Sequence, residues 1–142
     1  MKNILLTLVT ILFFGFANGQ STTRYIEFNT GISTGLVPLF PGGSFMYGAT
    51  TTYNSGIVLD YEGGFAFPSL VTGKAGIGYA VSKDADITVG IRPWPASTYL
   101  QLKLNRPNKK TDLVITAENM WARDLFVQTA IFTIGWRLNA VK

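Results

Sequence analysis

Cysteine and histidine are both absent from the 142 residues. Without cysteine there is no disulfide, no thiol nucleophile and no lipid anchor at a modified cysteine. Without histidine, Ser-His-Asp and Cys-His catalysis are excluded, as are histidine-ligated metals. Charge is scarce too. Asp, Glu, Lys and Arg make up 14% of the chain, where about a quarter is usual in a soluble domain. The net charge is +4 and the basic residues are scattered. Their densest point, Arg106, Lys109 and Lys110, falls in a segment with Pro107 and Asn108. It reads as a solvated turn, because nucleic-acid binding needs a basic stripe with stacking aromatics. No nucleic-acid partner, cofactor, metal or enzymatic activity is expected.

Long apolar runs are missing after Phe16. The run that does exist, Ile4 to Phe16, follows Lys2 and precedes the small residues Ala17-Asn18-Gly19. That is the layout of a secretory signal. The run has about 13 residues, short of the roughly 20 that a spanning helix requires. Residues 1–19 are therefore expected to be a cleaved signal, and residues 20–142 one domain. If the exported part enters a membrane, it enters as strands.

What the chain does have is glycine, aromatics and period-2 alternation. Eight runs follow one another. Ile26, Phe28 and Ile32 alternate with Tyr25, Glu27, Asn29 and Ser33. Phe45, Tyr47, Ala49 and Tyr53 oppose Met46, Gly48, Thr50 and Thr52. Ile57, Leu59, Tyr61, Phe65 and Phe67 oppose Val58, Asp60, Glu62, Gly64 and Ala66. Val71, Ala75, Ile77, Tyr79 and Val81 oppose Thr72, Lys74, Gly76, Gly78 and Ala80. Ile87, Val89 and Ile91 oppose Asp86, Thr88, Gly90 and Arg92, and Leu100, Leu102 and Leu104 oppose Tyr99, Gln101 and Lys103. Leu113, Ile115 and Ala117 oppose Val114, Thr116 and Glu118. The last run sets Phe126, Ala130, Phe132, Ile134, Trp136 and Leu138 against Val127, Thr129, Thr133 and Arg137. Turn residues separate the runs, and proline is expected only between them. The pattern predicts an all-β antiparallel meander.

Alternation does not say which face points outward. The polar face carries Glu27, Asp60, Glu62, Lys74, Asp86, Arg92, Lys103, Glu118 and Arg137, balanced in sign and interspersed with glycines. An eight-stranded barrel is only wide enough to be filled by side chains. Small residues there would make room for long, mutually paired ones, as buried charges require. The apolar face, nearly free of charge, would then face lipid. Tyr25, Phe45, Tyr53, Phe67, Tyr79, Tyr99, Trp121, Phe126 and Trp136 lie toward run ends and are expected to form two aromatic girdles. Met46, Val58, Leu70, Val114, Leu125, Val127 and Ile131 fall on the interior side and require a partly apolar interior or a bulge.

These features resemble the small outer-membrane β-barrel proteins of OmpA/OmpX type, in particular short barrel-only members of Bacteroidota kind. The likeness covers the whole exported chain. Its most specific piece is the closing strand, where Phe132, Gly135, Trp136 and Leu138 are similar to a C-terminal signal read by the barrel-insertion machinery. The resemblance implies an eight-stranded antiparallel up-and-down transmembrane β-barrel in the cell outer membrane, with both termini in the periplasm. The outward loops would be Thr34–Gly43, Pro68–Ser69, Trp94–Ser97 and Ala122–Asp124, the first of them alone being long. Leu36, Val37, Leu39 and Phe40 in that loop would fold over the barrel mouth or meet headgroups. The partners implied are outer-membrane lipid and, during assembly, the insertion machinery.

Two chemical motifs fail on inspection. Gly73-Lys74-Ala75-Gly76-Ile77-Gly78 lacks the spacing and following helix of a phosphate loop. Asp60 and Glu62 could be drawn as an acid/base pair, but read better as part of an internal salt-bridge cluster with Lys74, Arg92 or Lys103. The expected interior cluster is Glu27, Asp60, Glu62, Lys74, Arg92, Lys103, Glu118 and Arg137. The favoured reading is a structural or partner-binding membrane barrel with a plugged interior, ahead of a porin-like narrow pore. The alternative is a soluble, lipocalin-like secreted or periplasmic barrel with its apolar face inward around an apolar ligand.

Overall fold

The computed structural model describes residues 20–35, 40–94, 96–106, 110–121 and 128–140. The expected signal, residues 1–19, lies outside them, as do Leu36, Val37, Leu39, Ala122–Asp124, Leu125, Phe126 and Val127. Eight strands follow one another: β1 (Gln20–Gly35), β2 (Phe40–Tyr53), β3 (Ile57–Phe67), β4 (Leu70–Ser82), β5 (Ala85–Trp94), β6 (Ser97–Leu104), β7 (Thr111–Met120) and β8 (Gln128–Asn139). Each pairs antiparallel with its sequence neighbours, and β8 pairs with β1 to close a barrel. The antiparallel meander is thus as the alternation predicted, and its closure into an eight-stranded barrel is as the resemblance implied. Closure leaves no unpaired edge. Among the described residues no helix is long and apolar enough to cross a membrane, which says nothing about crossing by strands.

The register fixes the shape. Partners followed around the barrel from Ser21 run through Thr52, Val58, Gly78, Thr88, Gln101, Thr116 and Thr133 and return to β1 at Gly31, a stagger of ten residues. With ordinary strand spacing and rise, that stagger tilts the strands by about 41° and gives a backbone radius of about 8 Å. A cylinder of that width has room for side chains but not for a wide channel.

One end of the barrel, the turn end, carries the β2–β3, β4–β5 and β6–β7 connections together with the start of β1 and the end of β8. At the first of them Gly56 adopts φ 85°, a left-handed conformation that favours glycine. The opposite end, the loop end, carries the β1–β2, β3–β4, β5–β6 and β7–β8 connections.

Three expectations about connections are corrected. The first loop is not long: β1 runs to Gly35, β2 starts at Phe40, and Ser33 already pairs with Phe40. Its Gly and Pro residues read locally as breakers, yet the register gives them partners (Thr30 with Gly43, Gly31 with Gly42, Ile32 with Pro41), so pairing overrides propensity. Proline is not confined to connections, because Pro41 lies in β2 and Pro93 in β5. Pro41 sits beyond the last β2–β3 pair, Gly43–Phe67. Pro93 sits in a bulge, where Arg92 and Pro93 together face Lys74 between the pairs Ala75–Ile91 and Gly73–Trp94. Leu70 does not enter the interior. It has φ 64° at the start of β4 and is 74% exposed.

The two faces are inverted relative to a soluble domain. Large apolar side chains such as Phe28, Tyr61, Phe65, Ile77, Val89, Leu100, Phe132 and Trp136 are exposed on the outside. The buried set is mostly polar, with Met46, Val58 and Val114 as an apolar minority. Those three therefore lie in a partly apolar interior. Tyr25 and Tyr99 correct the girdle expectation: both are buried inside, at 1% and 4% exposure. Phe67, Trp94 and Trp121 do lie outward at the loop end, and Tyr79 near the turn end.

Candidate functional site

The interior is built by register. Several polar contacts join residues that are direct cross-strand partners, so the pairing writes them. Glu27 partners Arg137, Glu62 partners Lys74, Thr50 partners Asp60, and Asp86 partners Lys103. Each of these pairs is in contact. Arg137 Nε donates to Glu27 Oε2 at 2.6 Å. Lys74 Nζ lies 3.6 Å from Glu62 Oε1. Thr50 donates to Asp60 Oδ1 at 2.5 Å, and Lys103 Nζ lies 2.5 Å from Asp86 Oδ2.

Longer side chains then reach across the lumen. From β8, Arg137 extends to β3, where its NH1 and NH2 donate to Asp60 Oδ1 and Oδ2 at 3.2 and 3.1 Å. The same guanidinium donates to Thr50 Oγ1 at 3.0 Å and lies 3.9 Å from Glu62 Oε2. Lys74 on β4 crosses to Glu118 on β7 at 3.2 Å, and Arg92 NH2 donates to Glu118 Oε1 at 2.6 Å. Ser97 donates to Glu118 Oε2 at 3.1 Å. Glu27, Arg137, Asp60, Glu62, Lys74, Glu118 and Arg92 thus form one continuous ionic chain along the lumen.

Two tyrosines pack inside this chain. The Tyr25 ring lies under the Arg137 guanidinium, 3.6 Å from its carbon, and the Tyr25 hydroxyl donates to Asp60 and Glu62 at 3.1 and 3.2 Å. Lys74 Nζ sits 5.5 Å from the Tyr99 ring centroid. Both rings need glycine opposite them. A Cβ on Gly48, the partner of Tyr25, would meet the Tyr25 hydroxyl, and one on Gly76 or Gly90 would meet Tyr99. The interior glycines are therefore the space into which the rings fold.

The structure brings together seven of the eight residues expected as an interior cluster. Lys103 is the exception: it is half-buried on the same face but pairs with Asp86, apart from the main chain. Arg92 contacts Glu118 and not Asp60 or Glu62. The reason is register, which sets Lys103 beside Asp86 and places Arg92 at the loop end. Asp112 joins the interior without being among the expected residues: it is 5% exposed and accepts from the Arg106 backbone NH at 3.1 Å and from Asn139 Nδ2 at 2.6 Å. Its parity with Val114, Thr116 and Glu118 was the available signal. Asp60 and Glu62 are both engaged by Arg137, so neither stands free as an acid/base pair. Among the described residues no group of three or more acidic side chains is arranged to hold a metal ion.

The closing strand presents Phe132, Trp136 and Leu138 outward, at 51%, 45% and 42% exposure, while Gly135 faces inward against Asn29. Trp136 and Leu138 are in register with Phe28 and Ile26 of β1, so this strand seals the barrel.

Fold and site together define a closed antiparallel β-barrel with a charged interior and an apolar exterior. No protein-family model matches the chain, and no curated protein matches it. Among solved structures it is similar to one described as "De novo design of transmembrane beta-barrels", with a TM-score of 0.50, 16% identity, and coverage of 83% of this chain and 95% of that chain. At that identity the likeness is one of fold.

Proposed function

We propose that this chain is an integral outer-membrane β-barrel of OmpA/OmpX type, exported by its N-terminal signal and inserted with its loop end outward. The observation that carries the reading is the sense of the two faces. Large apolar side chains cover the outside, and the charged side chains are paired inside. Water would penalise that exterior, whereas a hydrocarbon phase stabilises it. The similarity to a structure described as a transmembrane barrel supports the same setting. A lipocalin-like barrel needs its apolar face inward, the reverse of the burial pattern.

The role that fits is structural or partner-binding, with no catalysis. Arg137, Lys74 and Glu118 cross the lumen and tie opposite walls together, so the interior braces the barrel and plugs it to flow. Phe132, Gly135, Trp136 and Leu138 serve as the signal for the insertion machinery.

Fractionation with a heat-modifiability gel tests the reading. Expressed with its signal in a Gram-negative host, the protein is expected in the outer-membrane fraction, migrating differently boiled and unboiled. Recovery as a soluble periplasmic or secreted protein would refute the proposal and direct the search to an apolar ligand.

A further inference from the structure

Among the described residues, two buried polar atoms near the loop end have no hydrogen-bond partner, Arg92 Nε and Thr133 Oγ1. Both residues line the same cavity, of about 60 Å³, with Ser44, Ala66, Phe67 and Ile131 among its other walls. Arg92 is 7% exposed, and its NH2 donates to Glu118 while its Nε takes no part in that contact. An unmade hydrogen bond on a buried guanidinium is costly, which calls for an acceptor at this place.

We propose that this cavity is a binding site for a small carboxylate of the size of formate or acetate. Its oxygens would accept from Arg92 Nε–H and from the Thr133 hydroxyl. Three features select that class. The volume is about that of two waters in the liquid, or three to four heavy atoms. The remaining wall is apolar over most of its surface, from Ile32, Ala66, Phe67, Pro68 and Ile131, with Ser33, Ser44 and Ser69 as its polar members. That apolar portion suits a short hydrocarbon tail, while Arg92 and Thr133 mark where the carboxylate would sit, with water as the competitor that the titration separates. Charge agrees as well: Arg92 and Lys74 both converge on Glu118, so this end of the ionic chain has two cations around one shared carboxylate. Glu62, the next acid, lies on the far side of Lys74 at 3.6 Å. Ser69 and Pro68 of the β3–β4 turn are part of the wall, which places the site beside the loop end and within reach of solutes there. The inference needs the closed barrel but not its placement in a membrane.

The test is a titration of the refolded, ¹⁵N-labelled barrel in detergent micelles with acetate, formate and chloride, following the Arg92 Nε–H resonance. Acetate and formate are expected to displace it saturably, and chloride is not. Ala66→Leu fills the cavity without touching the Arg92–Glu118 pair and should abolish the response. Thr133→Val, close to isosteric, removes one hydrogen bond and should weaken acetate about tenfold. It answers the same question should Ala66→Leu fail to fold. No displacement by either carboxylate would overturn the proposal. So would equal displacement by all three anions that persists in both variants, which would mark a general ionic effect, or an Nε–H that only exchanges with water.

Discussion

Replacing Arg137 with methionine probes the ionic chain at its centre. The guanidinium is 1% exposed and faces three carboxylates, Glu27 at 2.6 Å, Asp60 at 3.1 Å and Glu62 at 3.9 Å. Methionine keeps much of the volume and removes the charge. Glu62 then retains Lys74, while Glu27 and Asp60 lose the cation they share. Breaking one buried pair by deleting a partner costs about 3–5 kcal/mol. With two acids stranded, Arg137→Met should reach at least the upper end, about 5 kcal/mol. That is a large share of a typical folding stability of about 5–15 kcal/mol. Urea unfolding in detergent micelles, read by tryptophan fluorescence and gel mobility, measures it. A rescue follows from the same logic: adding Glu27→Gln and Asp60→Asn removes the stranded charges and should recover most of the loss. Lys103→Met is the milder contrast, because Lys103 is the more exposed cation and faces a single carboxylate, Asp86, outside the main chain, and should cost no more than the lower end, about 3 kcal/mol. If Arg137→Met costs no more than Lys103→Met, or if the triple variant is worse than the single, the reasoning fails.

Other outcomes follow from the two faces. Leu100→Arg, on the exposed outer wall at 54%, should lower stability in bilayers by about 2–4 kcal/mol; an unchanged urea midpoint in vesicles would contradict a lipid-facing wall. Gly90→Val places a side chain against the Tyr99 ring and the Ala75 carbonyl and should cost about 1–3 kcal/mol by overpacking, with combination with Tyr99→Ala restoring part of it. Tyr25→Phe deletes a hydroxyl that donates to two carboxylates and should cost about 1.5–3 kcal/mol, checked by the same urea titration. Phe132→Ala with Trp136→Ala should slow assembly in cells, read by pulse-chase heat-modifiability, while leaving detergent refolding nearly intact; equal defects in both settings would argue against a recognition role.

Parity made much of this architecture legible. Because successive strand side chains face opposite ways, Glu27, Asp60, Lys74, Glu118 and Arg137 could be put on one face from the sequence alone. The partners on that face could not, since they depend on register and on which side chains span the lumen. Lys103 differs from Lys74 in no local respect, yet Asp86 is its direct partner and takes it out of the main chain. Tyr25 and Tyr99 look like girdle residues by their positions near run ends, although their parity with Glu27 and Gln101 points inward. The deciding fact was non-local, the glycines opposite them at Gly48 and Gly90. The bulge at Arg92 and Pro93 was likewise hidden, because proline suggested a connection where the closed sheet supplies a bulged strand end. Asp112 is hard to see because the apolar alternation of its run begins only at Leu113.

The measurement that tests the central claim most directly uses the three tryptophans, Trp94, Trp121 and Trp136. They are 49%, 57% and 45% exposed on the outer wall. Trp136 pairs with Phe28 and Leu113 inside the strands, while Trp94 and Trp121 stand at strand ends toward the loop end. Single-tryptophan variants, with the other two replaced by phenylalanine, are inserted into vesicles of lipids brominated at defined acyl depths. The account predicts quenching at all three sites, deepest for Trp136 and shallower for Trp94 and Trp121. Fluorescence untouched by brominated lipid at every site would mean that the apolar wall does not face a membrane.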